Sequence, residues 1–123
     1  MAIKDTIDKY FQYVNDGKFD QLFDLFCEDA DLSCPVDFKV KGIENIKTFY
    51  LKVPENYPEH IDTPIDILVQ ENRAAVLIQF QGKNASGTPT SFVAADWFTF
   101  KDDKIKTLQI FYDSLGLSRR LKN

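Results

Sequence analysis

A chain of 123 residues is long enough for one domain with one sizeable core, and its 44% hydrophobic content is ordinary for a globular protein. A net charge of −4 argues against nucleic acid as a partner, because that needs a concentrated basic surface. No apolar run approaches the roughly 20 residues that would span a membrane. The aromatic content is less ordinary: eleven Phe, five Tyr and one Trp supply many large side chains for a core or a ligand cavity.

In chain order, Ile3, Ile7, Tyr10, Phe11 and Val14 recur at helical spacing and predict an amphipathic helix over 3–15. Asn15-Asp16-Gly17 ends it, with Gly17 free to adopt a left-handed cap. Phe19, Leu22, Phe23, Leu25 and Phe26 mark a second short helix, 18–27, and residues 30–36 follow as a short strand that Pro35 confines to an edge or an end. Ile43, Ile46, Phe49 and Tyr50 share one face of a third helix, 43–53, stopped by Pro54. Pro58 and Pro64 punctuate the loop after it, and His60 lies in that loop as a solvated or lid residue.

The remainder reads as strands. Residues 65–70 form one, Glu71-Asn72 a tight turn, and 74–81 the next. Residues 82–89, rich in Gly, Ser, Asn and Thr, form a hairpin loop; strand 90–100, a turn at 101–104 and strand 105–113 complete the set. The basic end, Arg119-Arg120-Leu121-Lys122, is expected to fray into solvent. Helices mixed early with one strand and followed by a run of antiparallel strands give an α+β pattern, with three helices covering one face of a curved sheet. No linker or repeat interrupts the chain, so one domain over 1–123 is expected. Alternating Val76, Ile78 and Phe80 would leave an apolar patch on one side of the sheet if they were not buried.

Cys27 and Cys34, one His and no CxxC make a poor metal site, so neither metal nor organic cofactor is expected. A disulfide is conceivable, but the first residues, Met1-Ala2-Ile3-Lys4-Asp5, lack an apolar signal region, and reduced thiols in the cytoplasm are the expectation. Asn84-Ala85-Ser86 matches a glycosylation sequon, which carries little meaning in that compartment.

The sharpest functional pointer is an acid in an otherwise apolar strand. Asp96 is the sole charge in Phe92-Val93-Ala94-Ala95-Asp96-Trp97-Phe98-Thr99-Phe100. A carboxylate there costs several kcal/mol unless it is paired, hydrogen-bonded or protonated. Desolvation raises its pKa, a common device at active sites. The plainer reading is a structural carboxyl bonded to Tyr10 or to backbone amides.

Several stretches carry a family resemblance: Tyr10-Phe11-Gln12-Tyr13-Val14-Asn15-Asp16-Gly17, Phe26-Cys27-Glu28-Asp29-Ala30-Asp31-Leu32, Lys41-Gly42-Ile43-Glu44-Asn45-Ile46, and Ala95-Asp96-Trp97-Phe98-Thr99-Phe100. Through them the chain resembles the nuclear transport factor 2-like superfamily, which includes ketosteroid isomerase and the SnoaL-like polyketide cyclases. The resemblance implies a cone-shaped α+β barrel with a deep pocket, and commonly a homodimer built through the open face of the sheet. It places Tyr10 and Asp96 on the isomerase's two oxyanion donors and Tyr112 on an aromatic pocket position. Cys34, in Ser33-Cys34-Pro35, falls where the isomerase carries its basic acid, a departure that argues against steroid isomerisation.

Tyr10, Asp96 and Cys34 are therefore the catalytic candidates. Asp31, Asp37 and His60 are spare bases, and Phe26, Phe49, Phe98, Leu108 and Tyr112 are candidates to line an apolar small-molecule pocket. Two functions fit this set. One is a cofactor-independent isomerase, cyclase or dehydratase acting on a carbonyl-bearing ligand; the other is a binding or interaction domain that does no chemistry.

Overall fold

The computed structural model describes residues 2–122. Within them the chain runs α1 (Ala2–Asp16), α2 (Phe19–Phe23), β1 (Phe26–Cys34), β2 (Phe38–Lys41), α3 (Ile43–Leu51), α4 (Val53–Asn56), β3 (Glu59–Gln70), β4 (Arg73–Lys83), β5 (Pro89–Lys101), β6 (Lys104–Tyr112) and α5 (Ser114–Lys122). The strands form one sheet in the order β2-β1-β6-β5-β4-β3. Every pairing is antiparallel except β1 with β6. The register shifts at Phe26/Asp31, Pro64/Asp66 and Thr99/Phe100. Such bulges sharpen twist and bend. The result is an α+β cone: a curved, unclosed sheet whose concave face receives the helices.

Strand periodicity decides what enters the cone. On β4, Ala74, Val76, Ile78 and Phe80 are buried while Leu77 is exposed; on β5, Ala94, Asp96, Phe98 and Phe100 are buried while Val93 and Trp97 are exposed. Ile7, Tyr10, Phe11 and Val14 of α1 close over this face and join one core with Leu22, Phe26, Leu32, Ile46, Tyr50, Ile105 and Leu108. Gly17 takes φ +68° and ends α1 as expected. Asp102 and Asp103 both have positive φ and form the two-residue hairpin turn whose twist suits the strands on either side.

Several expectations give way to tertiary packing. The second helix stops at Phe23, and Phe26 and Cys27 begin β1 instead. Phe26 satisfies helical spacing with Phe19, Leu22 and Phe23, but a short apolar run of this kind fits either period. Strand β2 and the single turn α4, which contains Pro54, are additional elements. Strand β3 begins at Glu59, so His60 and Pro64 lie on a strand rather than in a loop. Pro64 is tolerated because β3 is an edge strand with a register shift beside it.

The basic end does not fray: residues 114–122 form α5. Asp113 caps it, its carboxylate accepting the Gly116 N–H at 2.9 Å, and Leu117 is buried beneath it. Finally, Val76, Ile78 and Phe80 point into the core. The apolar face left outside belongs to Ile61, Leu77, Val93, Trp97 and Phe111, which are 42–56% exposed.

Candidate active site

Asp96 sits on the inner face of β5, 4% exposed, opposite Val76 on one side and Ile110 on the other. Burial, reinforced by the charge of Asp62, pushes its carboxyl well above the ordinary carboxylate value. Burial thus favours the neutral acid, the form that can donate a proton. Tyr10 is buried on α1, but its hydroxyl partner is Tyr50 on α3, with 2.6 Å between the oxygens, and not Asp96. Burial raises Tyr10 strongly, and Tyr50 and Asp96 raise it further. Burial likewise raises Tyr50, against the easing effect of its bond to Tyr10. Both phenols stay protonated, and one shared hydrogen bond uses only one of their two O–H groups. The other is free to donate, as is Asp96.

Aromatic edges hold this group in place. The Tyr10 ring lies edge-on to Phe98 at 5.3 Å between centroids and to Tyr50 at 6.3 Å, and Phe26 lies 6.1 Å from Tyr50. Phe26, Phe98 and Leu108 are packed core residues here, the last two fully buried, and they support the donors from behind.

A cavity of about 620 Å³ opens between α3, α4, the β1–β2 connection and β6; Tyr10, Tyr50 and Asp96 lie behind its wall rather than in its lining. Phe49 and Tyr112 line it, with Cys34, Val40, Tyr57 and Ile110. Ile110, directly opposite Asp96, and Phe49, the chain neighbour of Tyr50, tie cavity to donors. The wall is largely apolar, as ligand pockets are, with Lys52 and Asn56 adding polar groups.

Cys34 reaches the cavity, but burial raises its thiol pKa, the opposite of what a nucleophilic or basic thiolate requires. Both cysteines are free. Asp31 lies 3.8 Å from Lys41 Nζ, and Asp37 is in the exposed β1–β2 connection with φ +58°, so neither acid belongs to the donor group. His60, now on β3, turns its ring inward. Among the described residues no group of three His, Cys, Asp or Glu gathers to hold a metal ion.

Two members of the group are not evident from the sequence. Tyr50 reads only as one more residue on a helix face, and its role arises from a contact across 40 residues. Asp62 lies inward on β3, its backbone clamped by Asn15 of α1: the Asp62 N–H donates to Asn15 Oδ1 at 2.8 Å, and Asn15 Nδ2 donates back to the Asp62 carbonyl at 2.9 Å. Burial raises the Asp62 carboxyl as well, and His60 counteracts that. The alternation of His60, Asp62 and Pro64 was the available signal, masked by the prolines.

The model of the SnoaL-like domain matches residues 7–108, so the chain belongs to the SnoaL-like family. A search of curated proteins gives no significant match. Among solved structures, TerC co-crystallised with polyporic acid superposes with a TM-score of 0.90 at 15% identity, covering 100% of both chains. A SnoaL-like polyketide-cyclase candidate from Jannaschia sp. CCS1 gives 0.87 at 18% identity, over 95% of this chain and 89% of that one. A protein with a ketosteroid isomerase-like fold from Catenulispora acidiphila, in complex with trimethylamine, gives 0.84 at 13% identity over 91% and 88%. At these identities the likeness is one of fold.

Proposed function

We propose that this protein is a cofactor-independent enzyme of proton transfer, an isomerase, cyclase or dehydratase, acting on an apolar molecule that carries a carbonyl or phenolic oxygen. The observation that carries this reading is the buried Asp96, whose carboxyl burial pushes toward the neutral form, beside the hydrogen-bonded Tyr10–Tyr50 pair. Donors fixed in a dry site stabilise charge that develops on oxygen, and removing one such donor costs about 10²–10³ in rate. The cyclase candidate of the same fold and the neighbour crystallised with polyporic acid support a small organic substrate. Asp96→Leu and Tyr50→Phe are each expected to lower turnover of cyclic enones, or affinity for substituted phenols, by about that factor. Leu is the replacement of choice because Asn would keep a donor. Unchanged turnover and binding in both variants would end this reading.

A second reading, a binding domain without chemistry, is favoured by Cys34 alone, since a protonated thiol stands where an acid base would. It predicts phenol binding with no product from any carbonyl substrate.

The whole chain acts as one domain, and its two free thiols fit the cytoplasm. The outer apolar face of Ile61, Leu77, Val93, Trp97 and Phe111 pairs with a second copy. Light scattering at micromolar concentration is expected to show a dimer that Trp97→Lys converts to a monomer. A monomeric parent protein would refute the pairing.

A further inference from the structure

His60 offers a proton-accepting atom that the donor group lacks. Its Nδ1 lies 3.2 Å from the backbone carbonyl of Tyr57. A carbonyl only accepts, so Nδ1 carries the hydrogen of the neutral ring and Nε2 holds the lone pair. Nε2 is buried and has no partner among the described residues. Buried polar atoms in folded proteins nearly always have partners, so this lone pair is open to a water or to a ligand proton.

The surroundings of the ring fit a base. His60 stacks on Phe80 with 8° between the planes; Phe80 stacks on Phe92 at 4.6 Å, and Phe92 meets Tyr112 at 5.0 Å. One aromatic row thus runs from His60 across the inner face of the sheet to a residue of the cavity wall. Tyr57, which fixes the His60 tautomer, lines the same cavity and packs edge-on to Phe80. Gly82 lies opposite His60, and any side chain there would collide with Glu59 and His60. Two residues further along, on the same inward face, Asp62 is coupled to the ring: burial raises its carboxyl and His60 draws it back toward the charged form, while its backbone is clamped by Asn15. Asp62 also adds to the effect of burial in raising the Asp96 carboxyl.

We propose that His60 Nε2 is the proton acceptor for a ligand held between this cavity and the buried donor group, with Asp62 as the positioning residue that holds its imidazolium form. The assignment rests on the proton-transfer reading above and supplies the base that Cys34 does not. A suitable probe is 5-nitrobenzisoxazole, a flat aromatic of cavity size. The C3–H proton passes to Nε2, its electron pair completes the nitrile as the ring N–O bond breaks, and the charge ends on a phenolate oxygen facing the donors. The imidazolium then returns its proton to water.

Wild-type protein is expected to speed this elimination above buffer, with kcat/KM rising with pH as one basic group titrates. His60→Gln should lower kcat/KM at least a hundredfold and flatten that rise. Asp62→Asn should change the pH profile, whereas Asp96→Leu should slow the reaction and leave the rise in place. If Asp96→Leu slows the reaction while His60→Gln keeps the wild-type rate and profile, His60 is not the base and the oxyanion reading stands. If neither variant matters, or wild-type protein gives no rate above buffer, both readings fail. Nitrogen-15 NMR of labelled wild-type protein tests the tautomer without any variant. A proton found on Nε2 of the neutral ring overturns the assignment.

Discussion

Asp96→Asn is expected to make the protein more stable than its parent, with an advantage that grows as pH rises. In the unfolded chain the Asp96 carboxyl ionises near its ordinary value of 3.8, whereas in the cone it keeps its proton well above that. Between those two values the native state binds one proton more than the unfolded state, so stability falls as pH rises. The stabilising contribution of the protonated carboxyl is complete below pH 3.8 and is lost progressively up to the folded value. Each pH unit in that window costs the parent protein about 1.4 kcal/mol. Asn fills nearly the same volume and does not ionise, so the variant escapes this loss. Asp62 is raised too, but it is present in both proteins and cancels to first order. Urea denaturation of both proteins at pH 4, 5, 6 and 7 gives the difference directly. A gap that stays flat with pH would mean that Asp96 ionises normally in the folded protein, and the donor assignment would fall with it. Natural retention of a group that destabilises at neutral pH is what a site under functional demand looks like.

Much of this architecture could be read from residue spacing because the strands and α1 each bury one clear face. Alternation on β4 and β5, the helical spacing of Ile7, Tyr10, Phe11 and Val14, and the lone charge at position 96 all survive in the structure as inward-facing residues. The elements that escaped are those whose local signal is weak or points elsewhere. Helix α5 contains Gly116 and ends in basic residues, so nothing in its composition outweighs the look of a tail. What holds it is the Asp113 cap and the burial of Leu117. Strand β2 has four residues next to Pro35 and exists because β1 offers it an edge. At the site, Asp96 announced itself by being wrong for its strand. Tyr50 and His60 did not, because a Tyr on a helix face and a His among prolines are each ordinary. The role of Tyr50 comes from a partner 40 residues away, and that of His60 from β3 laying its ring on Phe80.

The second large effect concerns what holds the donors in place. Phe98→Ala is expected to cost about 3–5 kcal/mol of stability, the range for emptying a buried aromatic site. Phe98 is fully buried, and its ring contacts Tyr10 at 5.3 Å and Phe100 at 5.8 Å between centroids, in the layer that backs the Tyr10–Tyr50 bond. Collapse into the space is hindered because both neighbours are tied elsewhere, Tyr10 by its hydroxyl and Phe100 by its main-chain bond to Asn72. The contrast is Phe111→Ala on the outer face, where the ring is 53% exposed. In a monomer that change should cost only a few tenths of a kcal/mol, within the range of ordinary surface substitutions. If the outer face joins two copies, its cost appears only as the protein concentration approaches the dimer dissociation constant. Urea denaturation of both variants at two protein concentrations therefore separates the roles of the two faces. A loss for Phe98→Ala below about 1 kcal/mol would show that the core tolerates the void, and that Tyr10 is held by something other than the aromatic layer beneath it.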